Sequence, residues 1–571
     1  MLHFRTFQGQ IVLALLLIAI LLLPNFFVAL FAKDLDGVLV KKTVYLAVSL
    51  FCVLLPALFF KKKIYFVFMG IFSLLLAPIE IASVCFCHTT TSFMMVDTIL
   101  NTDIEEAGEL LSYSAYLFLI WLLVLGCYFF FTFKYVDNEF FFSKRIRKIF
   151  LVAGAVLLVA GCAYFFILAR RTKTSEETTF KDNLIDTKDF LTLKFQKIYP
   201  FSVYLSACDV LQHNMDVREA QKRVKDFCFG LKPKVDNDEE VYVLVIGETA
   251  RANNMGLYGY ERNTTPLLSR RRNLVAYDHM VTLANLTSNS IPIIMTRANA
   301  EKSDVANRER SVSEAFSEAG FFTAWITDQE VTAFQRRIME ECDTTVVNGG
   351  FFSADYVYDM DMLPSLQSVL KREGHKKFIV IHTQGSHFRY NQRYPSEFEK
   401  FKPCFDNTMD YVSINKENRS LLVNAYDNSI LYTDFFLSNL MVELDKSCGT
   451  WAMLFLSDHG ENLFDNQDEL VLHGTLVVSE YEARIPFIVA YSDGYQNKYP
   501  EKVRHLMENR NKNITSEVVF HSLLDMADIR SSAVVADSLS VFSARLVSKE
   551  STYIMNGNRD LVLFDFKRLD K

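Results

Sequence analysis

Four short polar strings in this chain carry residues that could do chemistry. Val243–Tyr260 reads VLVIGETARANNMGLYGY, a run of branched aliphatics that delivers Glu248 directly after Gly247. Further on, HTQGSH sets His382 and His387 five apart, SDHGE joins Asp458 to His459, and LHG supplies His473. The chain has 11 histidines in 571 residues, so finding His382, His387, His459 and His473 in such strings is a concentration. Carboxylates and imidazoles are the oxygen and nitrogen donors that zinc accepts in tetrahedral sites. No CxxC pair occurs, which argues against a thiolate knuckle. Taken one at a time, a histidine after a strand is commonly a loop residue with its hydrogen bonds met. Convergence of several strand ends on one edge makes the metal reading the sharper one.

A metal site alone names no reaction. TLANLTSNSIPIIMTRA (Thr282–Ala298) offers hydroxyls at Thr282, Thr287 and Ser288 just ahead of a predicted helix with Pro292 in its early part. A hydroxyl at a helix N-terminus sits in a positive potential that favours anions such as phosphate. A neighbouring metal lowers its pKa and makes it a nucleophile. Thr287 has the better placement, with Thr282 and Ser288 as competitors; the plain alternative is an ordinary helix cap.

The elements that must carry these residues are short apolar runs: Val241–Ile246, Phe321–Ile326, Phe378–Ile381, Met453–Leu456 and Pro486–Ala490. Longer helix-like segments alternate with them, the pattern of a parallel sheet flanked by helices. Such sheets form their sites at the C-terminal edge of the strands.

The first 170 residues differ. Five long apolar runs, Ile11–Phe31, Thr43–Phe60, Ile64–Phe86, Ser114–Phe133 and Ile149–Leu168, are read as membrane spans, each near the roughly 20 apolar residues a bilayer needs. Lys61, Lys62 and Lys63 link the second and third, and Lys134, Lys144, Arg145, Arg147 and Lys148 link the fourth and fifth; Cys87–Tyr113 has no Lys or Arg, while Lys33, Lys41 and Lys42 in the first loop and Arg170, Arg171 and Lys173 after the fifth run count the other way. That asymmetry puts the basic loops in the cytoplasm and everything after Leu168 outside. The expected organisation is a five-helix transmembrane domain over 1–168, a membrane-surface connector over 169–238, and a catalytic domain over 239–571. A formal net charge of −7 without a basic stripe argues against a nucleic-acid partner. Five of the ten cysteines lie in the outer part, where disulfides are permitted and connectivity is unreadable.

YVLVIGETARANNMGLYGYERNTTP (Tyr242–Pro266), with HTQGSH, SDHGE and LHG following in order, closely resembles the membrane phosphoethanolamine transferases. That family includes lipid A-modifying and mobile colistin-resistance enzymes within the sulfatase/alkaline phosphatase superfamily, and the resemblance spans nearly the whole chain. It implies an α/β sulfatase-like domain in which Glu248, Thr287, Asp458 and His459 hold one zinc, with Thr287 as nucleophile. His387 and His473 match histidines that bind the transferred phosphoethanolamine or a second zinc, and His382 lies nearby. In VDTILNTDIEEAGEL (Val96–Leu110), Thr102 and Glu106 match a family segment that contacts the donor head group, while Thr98 replaces its Asn. The implied reaction is ping-pong: phosphatidylethanolamine enters, diacylglycerol leaves, and a phosphoethanolamine-threonine passes its group to lipid A, lipopolysaccharide core or another envelope glycan. The resemblance also implies a multi-pass inner-membrane enzyme, working as a monomer, with its catalytic domain in the periplasm. Cysteines that flank the nucleophile in many relatives are absent from LANLT and SIPII, which points to a different branch. The alternatives are a phosphoglycerol transferase of the same superfamily and a non-catalytic glycan-binding membrane protein.

Overall fold

The computed structural model describes residues 6–570 except 33–38, 88–89, 93–94, 97–98, 101–103, 151, 153–197, 235, 237, 330–332, 349–356, 406–413 and 466–469. The chain divides into two compact units, Met1–His213 and Asn214–Lys571.

In the first unit three helices are long and apolar enough to cross a membrane: Phe7–Phe31, Lys62–Cys85 and Phe118–Tyr135. They correspond to the expected first, third and fourth spans. The expected second span is a shorter apolar helix, Lys42–Leu58, because Pro56 turns its end into a 3-10 helix at Leu55–Leu58. The expected fifth, Ile149–Leu168, falls almost wholly outside the described residues. Small residues let these helices approach closely. A Cβ on Gly70 would sit 2.6 Å from the Tyr128 ring, and Tyr128 Oη donates to Phe66 O at 2.8 Å.

The second unit is built on a seven-stranded sheet. Its order is Leu274–Ala276, Phe487–Tyr491, Trp451–Ser457, Glu240–Gly247, Lys376–His382, Phe322–Thr327 and Thr344–Val347. The central strand EVYVLVIG is buried at every position, as a strand covered on both faces must be. Tyr242, Leu244 and Ile246 face a core with Ile291, Ile293 and Ile294 of the helix Thr287–Met295. Val241, Val243 and Val245 face Tyr426, Leu437 and Leu444 of the long helix Arg419–Ser447. Only Phe487–Tyr491 runs against the others, so the sheet is mainly parallel as expected. The strands Leu274–Ala276 and Thr344–Val347 escaped the sequence reading because three or four residues carry no usable periodicity.

Register is what this sheet supplies to function. Ile246 pairs with His382 and Gly247 with Ser457, so Glu248, Thr383 and Asp458 leave three adjacent strands at one level. Thr383 N–H to Ile246 O and Asp458 N–H to Gly247 O, both 3.0 Å, extend the ladder past the strand ends.

Candidate metal centre

Glu248 and Asp458 are buried where those strands end, and His459 follows Asp458, also buried. One donor atom from each of Glu248, Asp458 and His459 lies within 4.8 Å of the others. His459 Nε2 stands 3.5 Å from Glu248 Oε1 and 3.3 Å from Asp458 Oδ2. The ring is aimed by the backbone: Nδ1 lies 2.9 Å from Gly460 O. A carbonyl can only accept, so Nδ1 donates and Nε2 faces the two carboxylates. Burial lowers the His459 pKa, but Asp458 and Glu248 outweigh it and raise the group above its ordinary value.

The donor set fits zinc. Asp458 Oδ1 accepts from Thr249 N–H (3.1 Å) and His459 N–H (2.8 Å), while Asp458 Oδ2 is buried without a hydrogen-bond partner. Two buried carboxylates with an orphaned oxygen and an imidazole nitrogen facing them call for a cation. Nitrogen and oxygen donors are what zinc binds in such clusters.

Thr287 opens the helix Thr287–Met295, one residue later than a cap. Its Oγ1 lies 3.3 and 3.4 Å from the Glu248 carboxylate oxygens and 3.1 Å from His459 Nε2. The competing hydroxyls are engaged or turned away. Thr282 Oγ1 is buried and donates to Asp458 O at 2.6 Å. Ser288 Oγ is buried without a partner and touches neither carboxylate by a hydrogen bond. Of the three expected candidates, Thr287 is the one brought against the donor set.

Close backbone approach makes this assembly possible. Gly385 in HTQGSH has φ +50°, and a Cβ there would stand 2.8 and 2.9 Å from Glu248 O and N. Ser386 N–H then reaches Glu248 O at 2.9 Å. Thr249 holds φ 61°, a left-handed conformation that is costly for a β-branched residue. There its hydroxyl donates to Glu248 Oε1 at 2.7 Å. Arg251 is structural: it is buried, bonds Asp465 through both terminal nitrogens, and donates to Glu461 O at 2.9 Å.

The remaining histidines separate. His473 packs its ring 4.1 Å from that of His459 and donates from Nδ1 to Glu461 Oε2 at 2.8 Å. His459, Glu461 and His473 form a second group of potential metal donors sharing His459 with the first. His387 Nδ1 donates to Phe388 O at 2.7 Å. Burial pushes the pKa of His387 down to about 4 and that of His473 down to about 3, so both are neutral at pH 7. His382 belongs to neither donor group; its ring meets Trp325 edge-on at 6.2 Å on the core side of the sheet. Thr102 lies outside the described residues, and Glu106 lies on the helix Ile104–Tyr135.

Two contributors were missed in the sequence. Glu461 closes SDHGE, two residues past His459, and accepts from Tyr390 Oη at 2.6 Å. Gln329 follows the strand Phe322–Thr327 and donates to Glu248 Oε2 at 3.0 Å and to Thr383 O at 2.6 Å. Its position just past a strand end on the same edge was the available signal.

Comparison with known proteins follows the same division of the chain. The sulfatase family profile matches residues 240–529, and the profile described as phosphoethanolamine transferase EptA/EptB matches residues 88–170. The chain is 27% identical over 468 residues to phosphoethanolamine transferase EptA of Helicobacter pylori, covering 77% of this chain and 78% of that one. It is 26% identical over 433 residues to the Kdo(2)-lipid A phosphoethanolamine 7''-transferase of Salmonella typhimurium, covering 72% of each. The periplasmic domain of EptC from Escherichia coli, solved in complex with zinc, matches with a TM-score of 0.52 at 26% identity, over 59% of this chain and 95% of that one. The integral membrane EptA of Neisseria meningitidis shares the fold with a TM-score of 0.66 at 20% identity, over 93% of this chain and 97% of that one.

Proposed function

Because the chain belongs to the sulfatase family and, within it, to the phosphoethanolamine transferases, we propose that it moves phosphoethanolamine from phosphatidylethanolamine to lipid A or lipopolysaccharide core through Thr287. The observation that carries this reading is the seating of Thr287 Oγ1, at a helix N-terminus, 3.1 Å from His459 Nε2 and 3.3 Å from Glu248. The acceptor class rests on relatives named for lipid A modification.

Glu248, Asp458 and His459 would hold zinc with Thr287. Bound there, zinc lowers the pKa of the hydroxyl and neutralises charge on the phosphoryl oxygens. The rest is the work of side chains. Thr287 Oγ attacks phosphorus, the bond from phosphorus to the diacylglycerol oxygen breaks, and that oxygen takes a proton as diacylglycerol leaves. His473 and His387 each commit Nδ1 to an acceptor, which leaves Nε2 of each to carry protons and contact the phosphoethanolamine. An acceptor hydroxyl or phosphate then attacks the phosphothreonine and Thr287 regains its proton. The helix N-terminus at Thr287 adds a favourable potential for the anionic phosphoryl group.

The same reading takes five spans, the inner membrane, a periplasmic catalytic domain beyond the connector, and Thr102 and Glu106 as head-group contacts. Both of those residues fall within the stretch, residues 88–170, that the phosphoethanolamine transferase EptA/EptB profile matches.

The test uses purified full-length protein in detergent with fluorescent phosphatidylethanolamine, following diacylglycerol release with and without chelator. Zinc-dependent release that falls more than about 1,000-fold in Thr287→Ala is the expected result. Release that survives the substitution sinks Thr287 as nucleophile. Release from phosphatidylglycerol but not from phosphatidylethanolamine overturns the donor.

A further inference from the structure

The last two strands, Ser551–Met555 and Leu561–Asp565, form an antiparallel hairpin built directly onto the site's scaffold. Met555 N–H donates to Leu283 O at 2.9 Å and Asn285 N–H to Met555 O at 3.2 Å. At the turn, Arg559 Nε donates to Asn289 Oδ1 at 3.1 Å, on the helix that Thr287 opens.

The hairpin's inner face is a small core: Ile554 and Phe564 pack with Val281, Val478 and Ala483. Its outer face is apolar toward the turn, with the exposed pair Ser551 and Asp565 at the opposite end. Tyr553, Leu561 and Leu563 are 39%, 46% and 59% exposed. Tyr553 sits directly opposite Leu563, and Leu561 is two residues along the same strand, so alternation puts all three side chains on one side. Among the described residues of this unit, no other element exposes three large apolar side chains. Water gives such a face no stabilisation, and a contiguous exposed apolar patch marks an interaction surface.

We propose that this face is a lipid-contact surface, resting on the phospholipid bilayer interface so that a head group meets Thr287 while its acyl chains stay in the membrane. The proposal rests on the lipid-donor reading of the site. The bilayer is the occupant for three reasons. The chain spans a membrane, which holds this domain at high effective concentration beside lipid. The hairpin that carries the patch is tied to the nucleophile helix by Arg559 at its turn, and Tyr beside leucines suits the boundary between head groups and acyl chains. Three side chains are also far too few for a stable dimer, which buries about 800 Å² per partner.

The experiment places an environment-sensitive fluorescent amino acid at Leu563 of the full chain and, as control, at Val347, which is exposed on the strand at the far edge of the sheet. Each protein is reconstituted at one copy per nanodisc, with lipids carrying a nitroxide near the head group. Quenching at 563 with none at 347 is expected; no quenching at 563 overturns the proposal, as does quenching there only when discs hold two copies. In parallel, Leu561→Asp with Leu563→Asp should raise the apparent KM for bilayer phosphatidylethanolamine about tenfold. Turnover of a short-chain, monomeric phosphatidylethanolamine should stay within about twofold. Equal loss on both substrates overturns a lipid-contact role. Quenching at 563 in a protein that turns over no phosphatidylethanolamine keeps the surface and removes the donor reading.

Discussion

Glu461 fixes His473 by a single hydrogen bond between Nδ1 and Oε2 at 2.8 Å, and so decides which ring nitrogen faces the site. Burial pushes the Glu461 carboxyl up to about 8, and its two oxygens are hydrogen-bonded to Tyr390 Oη and His473 Nδ1. Removing such a partner from a site histidine typically costs 10–100-fold. We therefore expect Glu461→Gln to lower kcat for diacylglycerol release by about 10–100-fold, with KM and zinc content, measured by metal analysis, unchanged. A variant with wild-type kcat would show that the bond orients nothing. The sequence displayed Glu461 inside SDHGE but not its partner, because His473 lies twelve residues on and the contact depends on how the intervening turn folds. Gln329 was less visible still, since an amide after a strand carries no motif.

At the scale of elements, the loop HTQGSH is shaped by a steric need rather than by chemistry. Gly385 adopts φ +50°, and any side chain there would press on Glu248 backbone atoms that cannot move aside. Gly385→Ala is expected to destabilise the catalytic unit by about 1–3 kcal/mol, read as a lower unfolding midpoint of the full chain in urea. It should also shift Glu248 and weaken zinc retention on dialysis; an unchanged midpoint would refute the close-packing account. The helix carrying Thr287 was legible from its hydroxyl-rich start and Pro292, but its first turn was not. The strand ends were legible to within about two residues, because continuous aliphatic runs are what buried strands require. The C-terminal hairpin, whose exposed Leu561 and Leu563 alternate with half-buried Val562 and buried Phe564, was not legible, since five-residue strands give a weak pattern.

Across the whole molecule, the buried charge at the strand edge ties stability to metal. An ion that binds only the folded state stabilises it by about 4 kcal/mol at a thousandfold excess over its Kd. Chelation of the purified protein should therefore lower the unfolding temperature of the catalytic unit by about 5 °C or more, and added zinc should restore it. In Asp458→Ala the chelator should shift nothing further, because the donor cluster is already broken; a full shift in that variant would place the stabilising metal elsewhere. At the same scale, three helices reach membrane-spanning length among the described residues. Composition alone gave the expected second span its length, whereas Pro56 shortens its helix in the structure.

The sequence by itself determined the properties that reside in contiguous stretches: where the chain is apolar enough for lipid, where buried strands run, and which polar strings end them. These are local, since hydrophobic length and alternation act within a dozen residues. Only the tertiary structure decided which hydroxyl meets Glu248, which nitrogen of His459 faces the carboxylates, and that Glu461 serves His473. Those outcomes follow from register between strands more than a hundred residues apart, Ile246 against His382 and Gly247 against Ser457. Register is fixed by burying both faces of the sheet at once, a condition no single stretch of sequence contains.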